Sequence, residues 1–234
     1  PIHKVRFIMS PVGGGFGGKE DMIYQGMLAL LATKTRHPIK YVMTREEDIV
    51  STAKRHPSRT KYKMGLTKEG KILAAEISML ADGGAYGCST EGVMRKAAIL
   101  GAGPYNIENL KMDTRGVYTN NTPSGAFRSF GALQTEFATE SMQDIAAEKL
   151  QMDPFEIRRI NAFVKGNLTH TKQELNSASI NTVLNELENL SNWEQGSPNS
   201  RGDKRKDMFS NDNRDACELG ARLKTNGNGK RITK

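Results

Sequence analysis

A glycine-rich stretch near the start of the chain, GGGFGGKE at residues 13–20, carries the residue types best suited to binding chemistry. Five glycines surround Phe16, and Lys19 and Glu20 follow them directly. Glycine adopts positive φ angles without a side-chain clash and lets the backbone come close to a ligand. We therefore expect this loop to point backbone N–H groups at a bound anion or cofactor.

The two common phosphate-binding patterns fit this loop poorly. A Walker loop needs a serine or threonine directly after its lysine, but Glu20 follows Lys19 here. The dinucleotide pattern G-x-G-x-x-G is formally matched by residues 13–18, although a run this rich in glycine matches it easily. No acidic residue stands about twenty residues on at the end of a clear second strand. A nucleotide site is therefore the weaker alternative.

A second motif, GAFRSFG at residues 125–131, makes a more specific assignment possible. Together with GGGFGGKE it resembles the molybdopterin-binding subunit of the xanthine dehydrogenase and aldehyde oxidase family, the molybdenum hydroxylases. Further matching stretches run in the same order, namely RHPSRTKYKMGLTKEGKILAAE, DGGAYG, GPYNIENL and EIRRINAFVKGNLTH. The resemblance covers residues 5–190 and implies part of a molybdopterin-binding α+β domain.

The resemblance assigns cofactor contacts to both motifs. It implies that Gly14, Phe16, Gly17 and Arg128 bind the cofactor, with the backbone of Phe16 and of Arg128 next to the molybdenum. Oxo and sulfido ligands of the metal need hydrogen-bond donors, and backbone N–H groups supply them without side-chain bulk. Arg128 is also a predicted catalytic residue on this basis.

The resemblance also implies a substrate site. Glu20 matches a glutamate that orients the purine in xanthine-oxidising relatives, although its residue type and place alone favour a carboxylate at a helix N-terminus. Phe127 and Phe130 are expected around a planar substrate, because aromatic rings offer large faces and few rotamers. Lys96 stands where xanthine-oxidising relatives have an arginine, with Arg95 adjacent. Lysine is a point charge and not a bidentate fork, which weakens xanthine as the specific substrate.

One further departure lies inside the second motif, where Ser129 follows the arginine and many relatives have glycine. The carbon monoxide dehydrogenase branch has a cysteine at this place, so Ser129 speaks against that branch. Another N-heterocycle, such as a different purine or nicotinate, fits these residues at least as well as xanthine does.

The family's reaction is hydroxylation of an electron-poor carbon with water. The expected substrates are an N-heterocycle, such as xanthine, hypoxanthine or a nicotinate-like compound, or an aldehyde. The expected cofactor is molybdenum with molybdopterin, its cytosine dinucleotide form being one option. Iron–sulfur clusters and FAD on partner domains or subunits would take the electrons, and a dimer of the full complex is expected. The family's basic glutamate lies in a motif that this sequence lacks, so we expect a fragment that is inactive by itself.

Composition leaves one alternative function. The 234 residues carry a formal charge of +8, which is compatible with a non-catalytic basic binding or interaction module. Ten Lys/Arg against six Asp/Glu from Ser191 onward place half of that excess at the C-terminal end, and no nucleic-acid-binding motif accompanies it. We therefore expect no nucleic acid. The two cysteines are far apart without a CxxC pattern, and no secretion signal or membrane span is evident, which predicts a cytoplasmic protein.

The elements that must position the two motifs are predicted from apolar periodicity and turn residues. Strands are expected at residues 3–9, 37–44 and 109–120 and in a hairpin over 58–87. Helices are expected at 21–35, 45–52, 93–103, 134–149 and from Pro154, with Asp153 as its N-cap. The class is α+β, with mixed sheets and packed helices. Residues 1–190 form the predicted domain, and 191–234 form a polar basic tail that is predicted to be poorly ordered or non-native.

Overall fold

The computed structural model describes residues 4–191 and Trp193, and six helices and three strands lie in that part of the chain. The helices are α1 (Gln25–Thr35), α2 (Arg45–Ser51), α3 (Thr90–Leu100), α4 (Ala132–Leu150), α5 (Pro154–Asn161) and α6 (Ile180–Ser191). The strands are β1 (Ser58–Leu66), β2 (Ile72–Gly84) and β3 (Asn109–Tyr118). None of these helices is long and apolar enough to cross a bilayer.

The sheet is mixed, which confirms the predicted α+β class. Its order is β1-β2-β3, with β2 in the centre. β1 and β2 form the predicted antiparallel hairpin, whereas β3 runs parallel to β2. A parallel pair needs a crossover connection, and α3 lies in it. This crossover brings α3 back against the sheet, beside the chain segment that carries the second motif.

The core lies between one face of the sheet and helices α3 and α4. Inward and outward positions alternate along β2, so that Ile77 and Met79 are buried while Ser78 and Leu80 are exposed. Met79 packs in one cluster with the buried Val93 of α3. Burial of an apolar side chain of this size stabilises a fold by about 1.5–3 kcal/mol. The same packing holds α3 in place next to the second motif.

Capping residues explain where two of the helices begin. The predicted cap at Asp153 is confirmed, because its Oδ1 accepts a hydrogen bond from the Phe155 N–H at 2.7 Å and Pro154 is the first helical residue. Helix α2 begins with a capping box: Thr44 Oγ1 accepts from the Glu47 N–H at 3.2 Å, and Glu47 Oε2 accepts from the Thr44 N–H at 2.8 Å.

The strands predicted at residues 3–9 and 37–44 are wrong. Residues 4–9 and 37–44 lie outside every strand that the described chain contains. A strand needs a partner for its backbone groups and a core face to fix its register. No residue from 4 to 51 is buried, so the alternating patterns have no such face. The helix predicted over 21–35 is present but begins only at Gln25.

The predicted tail, residues 191–234, lies outside the described residues apart from Ser191 and Trp193. The Trp193 ring packs on Phe155 with 5.1 Å between ring centroids. Its indole N–H donates a hydrogen bond to Asp153 Oδ2 at 2.9 Å, so this residue contacts the start of α5. The division of the chain at residue 190 stays a prediction.

Two half-buried carboxylates, Glu136 and Glu140, lie one turn apart on α4 and differ in their partners. The Glu140 carboxylate accepts a hydrogen bond from the Tyr105 hydroxyl at 2.7 Å and forms an ion pair with Arg158 at 2.8 Å. Burial, and then the negative charge of Glu140, raises the pKa of Glu136 to about 7. Near neutral pH the charged form of Glu136 is therefore disfavoured in the folded protein.

We predict that Glu136→Gln increases the free energy of unfolding at about pH 8 by about 1–2 kcal/mol, after allowance for solvent screening of a half-exposed side chain. Between its ordinary pKa of 4.5 and about 7, folded Glu136 keeps a proton that the unfolded chain has lost. Wild-type stability therefore falls as the pH rises through this window, and the variant lacks that slope. Urea unfolding across the window measures the difference.

The control is Glu148→Gln, at an exposed position on the same helix. It should leave the pH dependence of the unfolding free energy unchanged. Equal slopes for the wild type and Glu136→Gln would contradict the assignment.

Candidate functional site

The glycine loop, residues 13–20, forms a tight turn before α1. The Gly18 N–H donates to the Gly15 carbonyl at 2.9 Å, and Lys19 Nζ donates to the Gly14 carbonyl. Phe16 has a φ of 52°, a left-handed conformation that is uncommon for a residue with a side chain. Phe16 is 65% exposed, and the edge of its ring lies over Gly14, 2.7 Å from the place that a Cβ would occupy there. The turn therefore carries an aromatic side chain that covers Gly14 and is still largely exposed.

The glycine loop packs directly on the second motif, residues 125–131, which we call the FRSF loop. Gly17 has a φ of 93°, and a Cβ atom on it would lie 2.6 Å from both the carbonyl carbon and the oxygen of Ala126. Residues with a side chain essentially never make so close a contact without a shift of the backbone. Gly17 therefore permits a backbone-to-backbone contact between the two motifs, which are over a hundred residues apart.

The FRSF loop leads into α4 through three consecutive residues with positive φ. The values are 78° for Ser129, 49° for Phe130 and 103° for Gly131. Two hydrogen bonds close the turn, from the Phe130 N–H to the Phe127 carbonyl at 2.7 Å and from the Ala132 N–H to the Ser129 carbonyl at 3.1 Å. Left-handed φ favours glycine, so serine at position 129 is a strained choice.

Helix α3 forms a wall beside this loop. The Phe130 ring lies 3.1 Å from the place that a Cβ of Gly92 would occupy, and it packs against the core cluster that contains Val93. Lys96 follows Gly92 by one helical turn, so the two residues share a face of α3. Lys96 is exposed. The structure thus brings Lys96 to the same side of the molecule as Phe130.

Glu20 is exposed at the end of the glycine loop, where its N–H donates to the Gly17 carbonyl at 3.4 Å. Helix α1 begins at Gln25 and has no acidic residue in its first turn. The alternative interpretation of Glu20 as a helix N-terminal carboxylate is therefore wrong. The next residue, Asp21, lies beside Gly125: its Oδ2 is 3.5 Å from the place of a Cβ there. Glu20 consequently stands at the junction of the two motifs.

Several backbone donors of the two loops are open to a ligand. Among residues 4–191 and Trp193, the N–H groups of Phe16, Gly17 and Arg128 donate no hydrogen bond. Phe16 and Arg128 are exposed, and Gly17 is partly buried. Unpaired donors on two loops in contact suit a bound group that carries several acceptor atoms.

Two residues that support the site were missed by the sequence analysis. Arg55 Nη2 donates to the Arg128 carbonyl at 2.8 Å, and its guanidinium lies over the Phe127 ring at 4.4 Å from the centroid. His56 is buried, and its Nε2 lies 2.8 Å from Thr90 Oγ1 at the start of α3. Burial lowers the pKa of His56, against a smaller opposite effect of a nearby carboxylate. Both residues lie in the stretch RHPSRTKY, but no spacing pattern in it indicates a site.

A cavity of about 610 Å³ opens beside α3 and β3, and its walls include Tyr86, Cys88, Glu91 and Arg95. None of its described lining residues is among the predicted site residues. Burial, and then the charge of Asp21, raises the pKa of the Cys88 thiol, which disfavours the reactive thiolate. The predicted residues of the two loops lie outside this cavity, where the loops contact each other and Phe130 packs on α3.

Comparison with known proteins gives one family. A family model described as the molybdopterin cofactor-binding domain matches residues 1–162, which include both loops. The chain is similar to the nicotinate dehydrogenase large molybdopterin subunit of Eubacterium barkeri, with 41% identity over 178 residues, 76% of this chain and 42% of the relative. It is also similar to a probable xanthine dehydrogenase component from Bacillus subtilis, with 40% identity over 161 residues, 69% of this chain and 22% of the relative.

The fold is similar to that of the aldehyde oxidoreductase of Desulfovibrio gigas, with a TM-score of 0.69 and 35% sequence identity over 76% of this chain and 20% of that protein. The chain spans less than half the length of each of these three relatives. The family model nevertheless covers more than half of the chain, and the relatives agree with it. The chain therefore belongs to the molybdopterin cofactor-binding domain family of the molybdenum hydroxylases, the group that contains xanthine dehydrogenases and aldehyde oxidases.

Proposed function

We propose that this chain supplies part of the molybdopterin site of a molybdenum hydroxylase that oxidises an N-heterocycle. The observation that carries the proposal is the contact between the glycine loop and the FRSF loop, with open N–H donors on both. Within the described residues, these donors take no part in the hydrogen bonds that close either loop. A ligand with several acceptor atoms accounts for them together.

The residues present fit the cofactor. Gly14, Phe16 and Gly17 would hold it from one loop and Arg128 from the other, with the backbone of Phe16 and of Arg128 next to the metal. The Gly17 contact leaves no room for a Cβ, so the cradle is shaped by backbone atoms and by the Phe16 ring. When bound, the cofactor would supply two things: a metal centre that accepts electrons from a substrate carbon, and the oxygen atom, derived from water, that is added to that carbon.

The remaining predicted residues would bind the substrate. Glu20 is proposed to accept a hydrogen bond from a ring N–H and so to orient the heterocycle, because its carboxylate is exposed at the junction of the loops. Phe130 would bound the planar ring from the side of α3. Phe127 is covered on one face by Arg55, which leaves its other face for the substrate. Lys96 would place a point charge near a polar substituent.

The names of the relatives suggest the substrate class. One relative is named a nicotinate dehydrogenase, another a probable xanthine dehydrogenase and a third an aldehyde oxidoreductase. Lysine in place of an arginine fork favours a nicotinate-like compound or a purine other than xanthine. Iron–sulfur and FAD domains or subunits, assembled in a dimer of the full complex, are proposed as the electron-transfer partners, with the cytosine dinucleotide as one option for the cofactor.

The alternative of a basic interaction module finds little support on the open face of the sheet. Three of the basic side chains there are paired. Glu76 forms ion pairs with Lys63 at 3.1 Å and with Lys111 at 2.9 Å, and Asp113 pairs with Arg115 at 2.7 Å. Hydrogen bonds from Lys111 and then Lys63 lower the pKa of Glu76 to about 2, so its carboxylate stays charged. A surface of paired charges attracts nucleic acid weakly.

We predict that the 234-residue chain purified alone contains no molybdenum, whereas a chain extended by its flanking genomic sequence contains molybdenum and pterin in similar amounts. The relatives are at least about twice as long as the chain, and their additional residues are expected to complete the cofactor site. Metal analysis and pterin fluorescence measure both. Molybdenum in neither protein would contradict the proposed function, and stoichiometric molybdenum in the short chain would contradict the need for the additional residues.

We predict that Gly17→Ala in the extended protein reduces the molybdenum content about tenfold or more. A Cβ at this place collides with the Ala126 carbonyl and separates the two loops. The left-handed φ of residue 17 adds a strain of about 1–2 kcal/mol for alanine. The matched control is Gly13→Ala in the same loop, because no atom lies within 4 Å of a Cβ there. Equal losses in both variants would show that the contact at Gly17 has no special role.

We predict that Glu20→Gln in the extended protein lowers kcat/KM for its best heterocycle about 10- to 100-fold, since a hydrogen bond to a charged acceptor becomes a neutral one. The molybdenum content should not change, because Glu20 is assigned to substrate and not to cofactor. Glu46→Gln on α2, also exposed, is the control. An unchanged kcat/KM for every accepted heterocycle would refute the role of Glu20.

A further inference from the structure

Arg55 touches the FRSF loop at two successive residues. We propose that Arg55 is a positioning residue, which holds residues 127–131 in the conformation that presents the Arg128 backbone to the cofactor. The proposal rests on the proposed function of that loop. Arg55 contacts neither the cofactor nor the substrate in this assignment and acts through the loop alone.

Two contacts of the Arg55 guanidinium carry the inference. Its Nη2 donates a hydrogen bond to the Arg128 carbonyl at 2.8 Å, a length typical of a charge-assisted bond. Its plane also covers the ring of Phe127, with Cζ 4.4 Å from the centroid. The Arg55 guanidinium thus fixes both the side chain of Phe127 and the carbonyl of Arg128.

The residue before Arg55 holds the other end of the same segment through its backbone. The Lys54 N–H donates to the Pro123 carbonyl at 3.2 Å, and the Gly125 N–H donates to the Lys54 carbonyl at 2.9 Å. Lys54 and Ser124 form an isolated parallel bridge as a result. Two neighbouring residues therefore pin the loop at its beginning, by backbone, and at its middle, by the guanidinium.

The conformation of the loop explains why it needs such support. Ser129, Phe130 and Gly131 have φ angles of 78°, 49° and 103°, and two of them carry side chains that disfavour these values. A strained backbone conformation persists only where contacts with the surrounding structure hold it in place. The Arg128 carbonyl, to which Arg55 donates, belongs to the peptide group that directly precedes Ser129. The guanidinium thus acts at the start of the strained run.

Lysine could not replace both contacts. A guanidinium is planar, so one of its nitrogens can donate in the plane while the plane itself stacks on an aromatic ring. The second terminal nitrogen, Nη1, lies 3.5 Å from Gln134 Oε1 in the first turn of α4. An ammonium group keeps a charge near the ring but loses this geometry. The conservative variant therefore separates the effect of charge from the effect of shape.

The test is hydrogen exchange on the full 234-residue chain. The Phe130 and Ala132 amides report on the loop, because their hydrogen bonds close it. We expect Arg55→Met to increase their exchange rates about tenfold, and Arg55→Lys to give an intermediate rate. Arg45→Met, which removes an exposed arginine at the start of α2, should change neither amide.

Exchange in β2 separates this role from a general loss of stability. Unchanged rates at Phe130 and Ala132 in Arg55→Met would overturn the proposal, and so would an equal increase across the amides of β2. A second measurement uses the extended protein, in which Arg55→Met should lower the molybdenum content and Arg45→Met should not. If the wild-type extended protein binds no molybdenum, the proposed function fails, and the exchange rates still decide the role of Arg55.

Discussion

The close approach of Gly17 to Ala126 is the constraint on which the site depends. A Cβ at Gly17 would lie 2.6 Å from the Ala126 carbonyl, so the two loops meet through their backbones. Such a contact fixes the separation of the loops more tightly than side chains can, because side chains adjust by changing rotamer. Every group that we assign to the cofactor lies on one of these two loops. Their relative position is therefore set by one glycine and the surface that it meets.

The glycine loop is positioned by its contact with the FRSF loop and not by the chain segment in which it lies. No residue from 4 to 51 is buried, although this segment contains α1, α2 and the glycine loop. The FRSF loop, in contrast, is held by the buried cluster around Val93 on one side and by residues 54 and 55 on the other. The core between the sheet, α3 and α4 thus supports the FRSF loop, and the FRSF loop in turn supports the glycine loop.

Features with local causes were predictable from the sequence. The β1–β2 hairpin, α4 and the Asp153 cap are each determined by residues within one element and its turn. The strands predicted at residues 3–9 and 37–44 failed because pairing depends on a distant partner, which alternation alone does not reveal. The contact of Arg55 with Arg128 joins residues 73 positions apart, and neither residue type nor spacing indicates it. The family resemblance located the two loops, but it said nothing about what holds them.

The nature of the assigned contacts explains which departures from the family pattern the site tolerates. Phe16, Gly17 and Arg128 are assigned to the cofactor through N–H groups, so what must be kept is the path of the backbone. Serine at position 129 preserves that path with a φ of 78°, at a strain of about 1–3 kcal/mol that packing and the Arg55 contact must offset. A side chain at Gly17 would instead displace the other loop itself. The same logic makes Lys96 a more informative departure than Ser129. In the proposed function its charge on the exposed face of α3 would act through the side chain and so bear on the choice of substrate.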